Sequence, residues 1–329
     1  MTGRARLTAI ALIFAMLPTA GLADDYLTRI QDVGIKELER LLGALSPARR
    51  SELKKANLKL TAMYPGHLGC ISPLNLASTS PTSSVTTLCP YAISRVATFV
   101  TSAELLFASR YSVSAVFNSQ KGLELSDELL GGLQKLWLYY LKVASAEHHA
   151  AVTGDTSPTT CLAEQAAYAV AHNLPTNECL VTSKKTVAAW LHSIDQDDVR
   201  LLFTMNFHHV VQGAIAHELG HLLAPPQKNS LLTEVAADEF ALDRLREADN
   251  AGTGARLTLP LVFVFWIGAR EAGIKLDVPD HHWEARAEAG FRRMVCSNAV
   301  VTSKSPTAVV DELMRKWFTE HKAETVFKC

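Results

Sequence analysis

Several features that would point elsewhere are scarce or missing in this chain. Charge of one sign does not dominate: 32 basic residues stand against 33 acidic ones, and the isoelectric point is near 6.9. That balance offers no general attraction for phosphate or anionic lipid, so nucleic acid is not expected as a partner. No C-x-x-C pair occurs among the six cysteines, which removes the usual cysteine metal site. Nucleophile-elbow, P-loop and dinucleotide glycine patterns are lacking too, so serine hydrolysis and nucleotide-driven chemistry have no support. No internal repeat stands out. Period-two alternation is scarce, leaving 112–117 and 299–302 as the only weak strand candidates. What is present is ample apolar mass, 48% of 329 residues, which excludes a disordered tail or a collagen-like fibre. A globular fold of one large domain or two ordinary ones follows.

The N-terminus reads as a segment apart from that fold. Arg4 and Arg6 precede an apolar run over 9–17, Pro18 breaks it, and Gly21-Leu22-Ala23 places small residues ahead of Asp24 and Asp25. This is the order of a secretory signal, cleaved after residue 23. The run is well short of the roughly 20 residues a membrane span needs. The most apolar later stretch, 257–269, contains Pro260 and is followed by Arg270 and Glu271, so it is expected as a buried helix rather than a span. The mature chain is thus expected in the periplasm or outside the cell, with no membrane span. Cysteine usage agrees: Cys70, Cys89, Cys161, Cys179, Cys296 and Cys329 all lie beyond residue 23. Sequence leaves the connectivity open, but loop closure favours neighbours, so Cys70–Cys89, Cys161–Cys179 and Cys296–Cys329 are the expected pairs.

Helical periodicity dominates the remainder, and the fold class expected is mainly α with little β. Ser46-Pro47 pairs a cap residue with proline at the first helical position, opening a segment to about Met63. Further helices are expected over 89–117, 126–152, 186–194, 198–223, 230–248, 257–272, 280–295 and 306–327. The Ser/Thr/Pro stretch 78–87 reads as a loop too polar to pack. A helical N-terminal region, 24–195, would precede a region at 196–329 that holds the chemistry, unless the two form one continuous domain.

The chemistry rests on His217-Glu218-Leu219-Gly220-His221 within a strongly apolar helix. Histidines at i and i+4 share a helical face, so both imidazoles can reach one ion. Glu218 projects about 100° around the axis, where it can hold a water rather than join the ligands. Pro225-Pro226 ends the helix. Next comes Glu234-Val235-Ala236-Ala237-Asp238, two acids at i, i+4 among small and apolar neighbours. Carboxylates on a face that looks buried are costly unless something cationic meets them. The short link between Pro225 and Asn229 lets the second helix fold back antiparallel to the first. Glu234 could then be a third ligand, and Asp238 could accept a hydrogen bond from a ligand imidazole.

These two elements, H-E-L-G-H at 217–221 and T-E-V-A-A-D at 233–238, resemble the gluzincin zinc metallopeptidases. The small-residue ending is similar to the HtpX and CAAX prenyl protease families and to exported bacterial metallopeptidases of uncharacterised role. The resemblance covers about 203–245. It implies a helical zincin-like core with one zinc on His217, His221 and Glu234, Glu218 as general base, and a peptide or protein substrate. Those families also carry a later His-Pro followed by an arginine, assigned to substrate or transition-state contacts. The nearest match here is Asp280-His281-His282-Trp283 and then Arg286, without the proline and at shorter spacing. His281 or His282 is accordingly a candidate oxyanion contact, with a surface pair at a helix start as the alternative. Two other functional readings stay open: a binding protein that keeps zinc for structure, and a zinc hydrolase of non-peptide amides. Of the other histidines, His208-His209 reads as a capped or solvated pair, with His209 as a partner of the metal ligands the alternative, and His148-His149 as cationic partners of a helix C-terminus.

Overall fold

Seven helices and three short strands are formed by the described residues of the computed structural model, which are 20–48, 50–51, 59–63, 70, 75–80, 83–110, 127–153, 161–175, 178–179, 181–223, 227–248 and 286. In chain order they are α1 (Ala20–Ala44), β1 (Lys59–Ala62), β2 (Ala77–Ser80), β3 (Val85–Leu88), α2 (Pro90–Arg110), α3 (Asp127–Thr153), α4 (Ala163–Ala171), α5 (Lys184–Ser193), α6 (Val199–Leu223) and α7 (Ser230–Ala248). Mainly helical architecture was expected. α1 was not assigned from sequence, and it runs across the expected cleavage position between Ala23 and Asp24. The expected helices over 257–272 and 306–327 and the strand candidates at 112–117 and 299–302 lie outside the described residues. The same is true of the expected 280–295 helix apart from Arg286.

Two expectations about strands are corrected. The segment read as helical to Met63 ends instead in β1. The hydroxyl-rich stretch, expected as a loop, supplies β2 and β3. In the sheet, ordered β1-β3-β2, β1 runs parallel to β3 and β2 antiparallel to it. Threonine fits a pleated, half-buried surface, and its hydroxyl can be satisfied across the pair: Thr79 Oγ1 and Thr86 Oγ1 are 2.7 Å apart. The alternation is real, with Thr86 and Leu88 buried on one face. It is hidden from an apolar/polar reading because threonine takes an inward position.

Local signals set the helix starts. Pro90 opens α2 where its missing N–H costs nothing. Asp198 Oδ1 accepts from Leu201 N at 2.9 Å and Asn229 Oδ1 from Leu232 N at 2.9 Å, capping α6 and α7. Disulfides join Cys70 to Cys89 and Cys161 to Cys179, with Cα separations of 5.4 and 5.9 Å, as the spacing suggested. Cys296 and Cys329 lie outside the described residues. One apolar core runs from Ile30 and Leu41 of α1 through Leu88, Ile93, Phe99 and Tyr140 to Val210 and Ile215 of α6 and Leu245 of α7. No described helix is long and apolar enough to cross a membrane.

Polar contacts inside this core fix the rotation of α6. Glu37 of α1 is buried and accepts from His208 Nδ1 at 2.9 Å, from Gln212 Nε2 and from Arg40 Nε at 3.1 Å. Burial opposes its ionisation, yet these donors hold its carboxyl below the ordinary range. His208 is therefore hydrogen-bonded to α1 through Glu37. On another side of α6, Asn206 Nδ2 donates to Glu104 Oε2 at 2.7 Å and to Thr101 Oγ1 at 3.0 Å.

Burial raises the Glu104 carboxyl to about 7 against an ordinary 4.5, with the Asn206 amide pulling the other way. A folded-state value above the unfolded one means that ionising Glu104 opposes folding. The cost is absent below about 4.5 and grows as pH rises through about 7. Glu104→Gln is expected to leave thermal stability unchanged at pH 4.5 and to raise it at pH 8, by about 1–3 kcal/mol. Equal effects at the two pH values would show that the carboxyl is not desolvated.

Candidate metal centre

α6 and α7 meet as an antiparallel pair whose facing sides carry the motif residues. Helix geometry stacks His217 and His221 one turn apart on α6, with ring centroids 4.7 Å apart and planes at 89°. Their Nε2 atoms are 3.0 Å apart. Glu234 reaches across from α7, placing Oε2 3.4 Å from His217 Nε2 and Oε1 3.6 Å from His221 Nε2. For tetrahedral bonds of about 2.0–2.1 Å, adjacent ligand atoms sit roughly 3.3–3.4 Å apart. The imidazole spacing and the two carboxylate contacts, one from each Glu234 oxygen, lie close to that value, so Glu234 faces both imidazoles across the space between the helices.

Glu218 lies beside the same spot. Donor atoms of His217, Glu218 and His221 all fall within 4.8 Å of one another, and the group could hold a metal ion. At 6% exposure, Glu218 is among the few buried acids of the described residues. Its position a third of a turn from His217 keeps it beside the imidazole pair rather than in line with it.

The electrostatics favour a cation. Burial disfavours charge on His217, but Asp238 and Glu234 override it and raise the imidazole to about 9. Asp238 Oδ1 is 2.7 Å from His217 Nδ1, an ion-pair contact set off the line of an ideal hydrogen bond. Burial likewise opposes charge on Glu234, yet His217 and a nearby arginine bring it down to about 2. Asp238, only 2% exposed, is held below the ordinary range despite burial by the same two partners. His221 is shifted the other way, first by burial and then by the charge on His217, which keeps its lone pair free to donate.

That arginine is Arg286, 3% exposed. Its Nε and Nη2 fork onto Asp238 Oδ2 and Oδ1 at 2.8 and 2.9 Å, and Nη1 meets Glu234 Oε2 at 2.8 Å. Three carboxylates, those of Glu218, Glu234 and Asp238, thus face one guanidinium. With both imidazoles neutral, as metal ligands are, a dication would bring this buried group to neutrality, which is the chemistry that the donor set fits. Burial works against the arginine's charge and the carboxylates more than offset it, Asp238 foremost.

Four residues named from sequence, His217, Glu218, His221 and Glu234, therefore come together, with Asp238 in the position expected of an imidazole partner. His281 and His282 lie outside the described residues. The buried role of Arg286 was not assigned from sequence; the signal available was its place three residues after Trp283. No family model, no curated protein and no solved structure matches this chain.

Proposed function

We propose that the chain is an exported zinc metallopeptidase that hydrolyses peptide bonds. The observation carrying this reading is the convergence of His217, Glu218 and His221 within 4.8 Å, with the two Glu234 oxygens 3.4 and 3.6 Å from the two imidazoles. Two nitrogens and one carboxylate, with a further position open to water, are the donors of a catalytic rather than a closed structural zinc site. When bound, zinc supplies a Lewis acid and lowers the pKa of a water molecule. His217, His221 and Glu234 would hold it. Asp238 would fix the His217 ring so that Nε2 faces the ion. Glu218 would accept a proton from the attacking water and return it to the leaving amine. Export draws support from the disulfides Cys70–Cys89 and Cys161–Cys179 and from the N-terminal pattern.

The test is metal content of the purified chain from Asp24 onward beside His217→Ala, followed by cleavage of a mixed peptide library. About one zinc per chain is expected in the wild type and none in the variant. Zinc with no cleavage of any peptide would favour a structural ion instead. No metal in either protein, even after zinc is supplied, would sink the enzyme reading.

A further inference from the structure

We propose that Gly220 is a positioning residue: its bare backbone, resting directly on Ala237, sets the width of the metal centre. The inference rests on the metal reading of the site and extends it to a residue that carries no donor atom.

Gly220 lies between Glu218 and His221 on α6, and Ala237 lies between Glu234 and Asp238 on α7. The two helices therefore cross at the centre of the motif residues. A Cβ added at Gly220 would lie 2.6 Å from Ala237 Cα, 2.7 Å from its carbonyl oxygen and 3.0 Å from its carbonyl carbon. All three are backbone atoms, so no rotamer change relieves the clash. Ordinary contact begins near 3.4 Å, so any side chain at position 220 must push α7 away by the better part of an ångström.

The displacement would fall on Glu234, whose Oε2 lies 3.4 Å from the His217 imidazole and whose Oε1 lies 3.6 Å from that of His221. Metal–ligand distances tolerate only about ±0.2 Å, several times less than the shift required. A methyl group at 220 thus takes the Glu234 carboxylate out of ligand range while both histidines, fixed on one helix, keep theirs. Asp238 retreats with it from His217, now 2.7 Å away.

Gly220→Ala tests this, with Gly131→Ala as control because a Cβ at Gly131 meets nothing within 4 Å. Zinc affinity is measured by competition with a chromophoric chelator, coordination by the visible spectrum of the cobalt-substituted protein, and folding by circular dichroism. Gly220→Ala is expected to keep its helix content, to lose about 10–100-fold in zinc affinity and to change the cobalt spectrum, while Gly131→Ala matches wild type. Adding Ala237→Gly should restore nothing, since the obstructing atoms are backbone. Wild-type affinity and spectrum in a folded Gly220→Ala would overturn the proposal alone. Failure of Gly220→Ala to fold with zinc present would overturn it too, because the glycine would then serve the helix pair as a whole. Absence of zinc from the wild type would overturn the metal reading and this inference together.

Discussion

Glu218→Gln is expected to lower peptide hydrolysis by about 10²–10⁴-fold while zinc content stays at the wild-type level. The two carbonyl-bearing side chains have nearly the same shape, so the variant fills the same space on α6. It removes only the ability to take and return a proton. In the proposed ligand set Glu218 is not needed, because Glu234 faces the two imidazoles from the opposite helix. Steady-state kcat/KM on a cleaved library peptide, beside zinc content by atomic emission, separates the possibilities. Loss of zinc in the variant would make Glu218 a ligand and displace Glu234 from that role. Full activity with full zinc would remove the general base from the mechanism. Loss of activity with zinc retained is the outcome that the placement of Glu218 requires.

The lateral structure of the site was legible because helix periodicity is rigid. An i, i+4 pair on α6 and another on α7 each share a face whatever the tertiary context, and the short link from Leu223 to Ser230 leaves an antiparallel return as the simple path. The small residues Gly220 and Ala237 then let the backbones touch, which brings both faces into register. The starts of both helices were legible too, and the caps that set them are local: Asp198 and Asn229 act on backbone three residues away.

What escaped the sequence is non-local. β3 pairs in parallel with β1 across 26 residues and uses threonine where an apolar residue would have announced a strand. Glu37 and His208 are 171 residues apart, so their pairing depends on how α1 packs against α6. Arg286 meets Asp238 over 48 residues, and its place after Trp283 named the residue without showing which buried carboxylates it would meet. Each of these residues satisfies a buried group whose need arises only once the core has closed.

Arg286→Met is expected to cost about 3–5 kcal/mol of folding stability in the metal-free protein, the loss typical of breaking a buried ion pair from one side. Methionine replaces the aliphatic stem but none of the three contacts to Asp238 and Glu234, at 2.8, 2.9 and 2.8 Å. The carboxylates of Asp238, Glu234 and Glu218 would then remain at this buried site without the guanidinium. Arg286→Lys should fall between wild type and methionine, because one ammonium keeps the charge but cannot span the fork to Asp238 and reach Glu234 as well. Urea denaturation with chelator present reads these losses directly. Repeating the series with saturating zinc gives the sharper result. The dication offsets the same carboxylates, so the deficit of Arg286→Met should shrink on adding zinc, and zinc should stabilise the variant more than it stabilises wild type. A deficit that is unchanged by zinc would mean that the guanidinium and the ion do not share these carboxylates. A loss below about 1 kcal/mol without metal would place Arg286 in the class of exposed ion pairs, contrary to a side chain that is 4% exposed against a carboxylate that is 3% exposed.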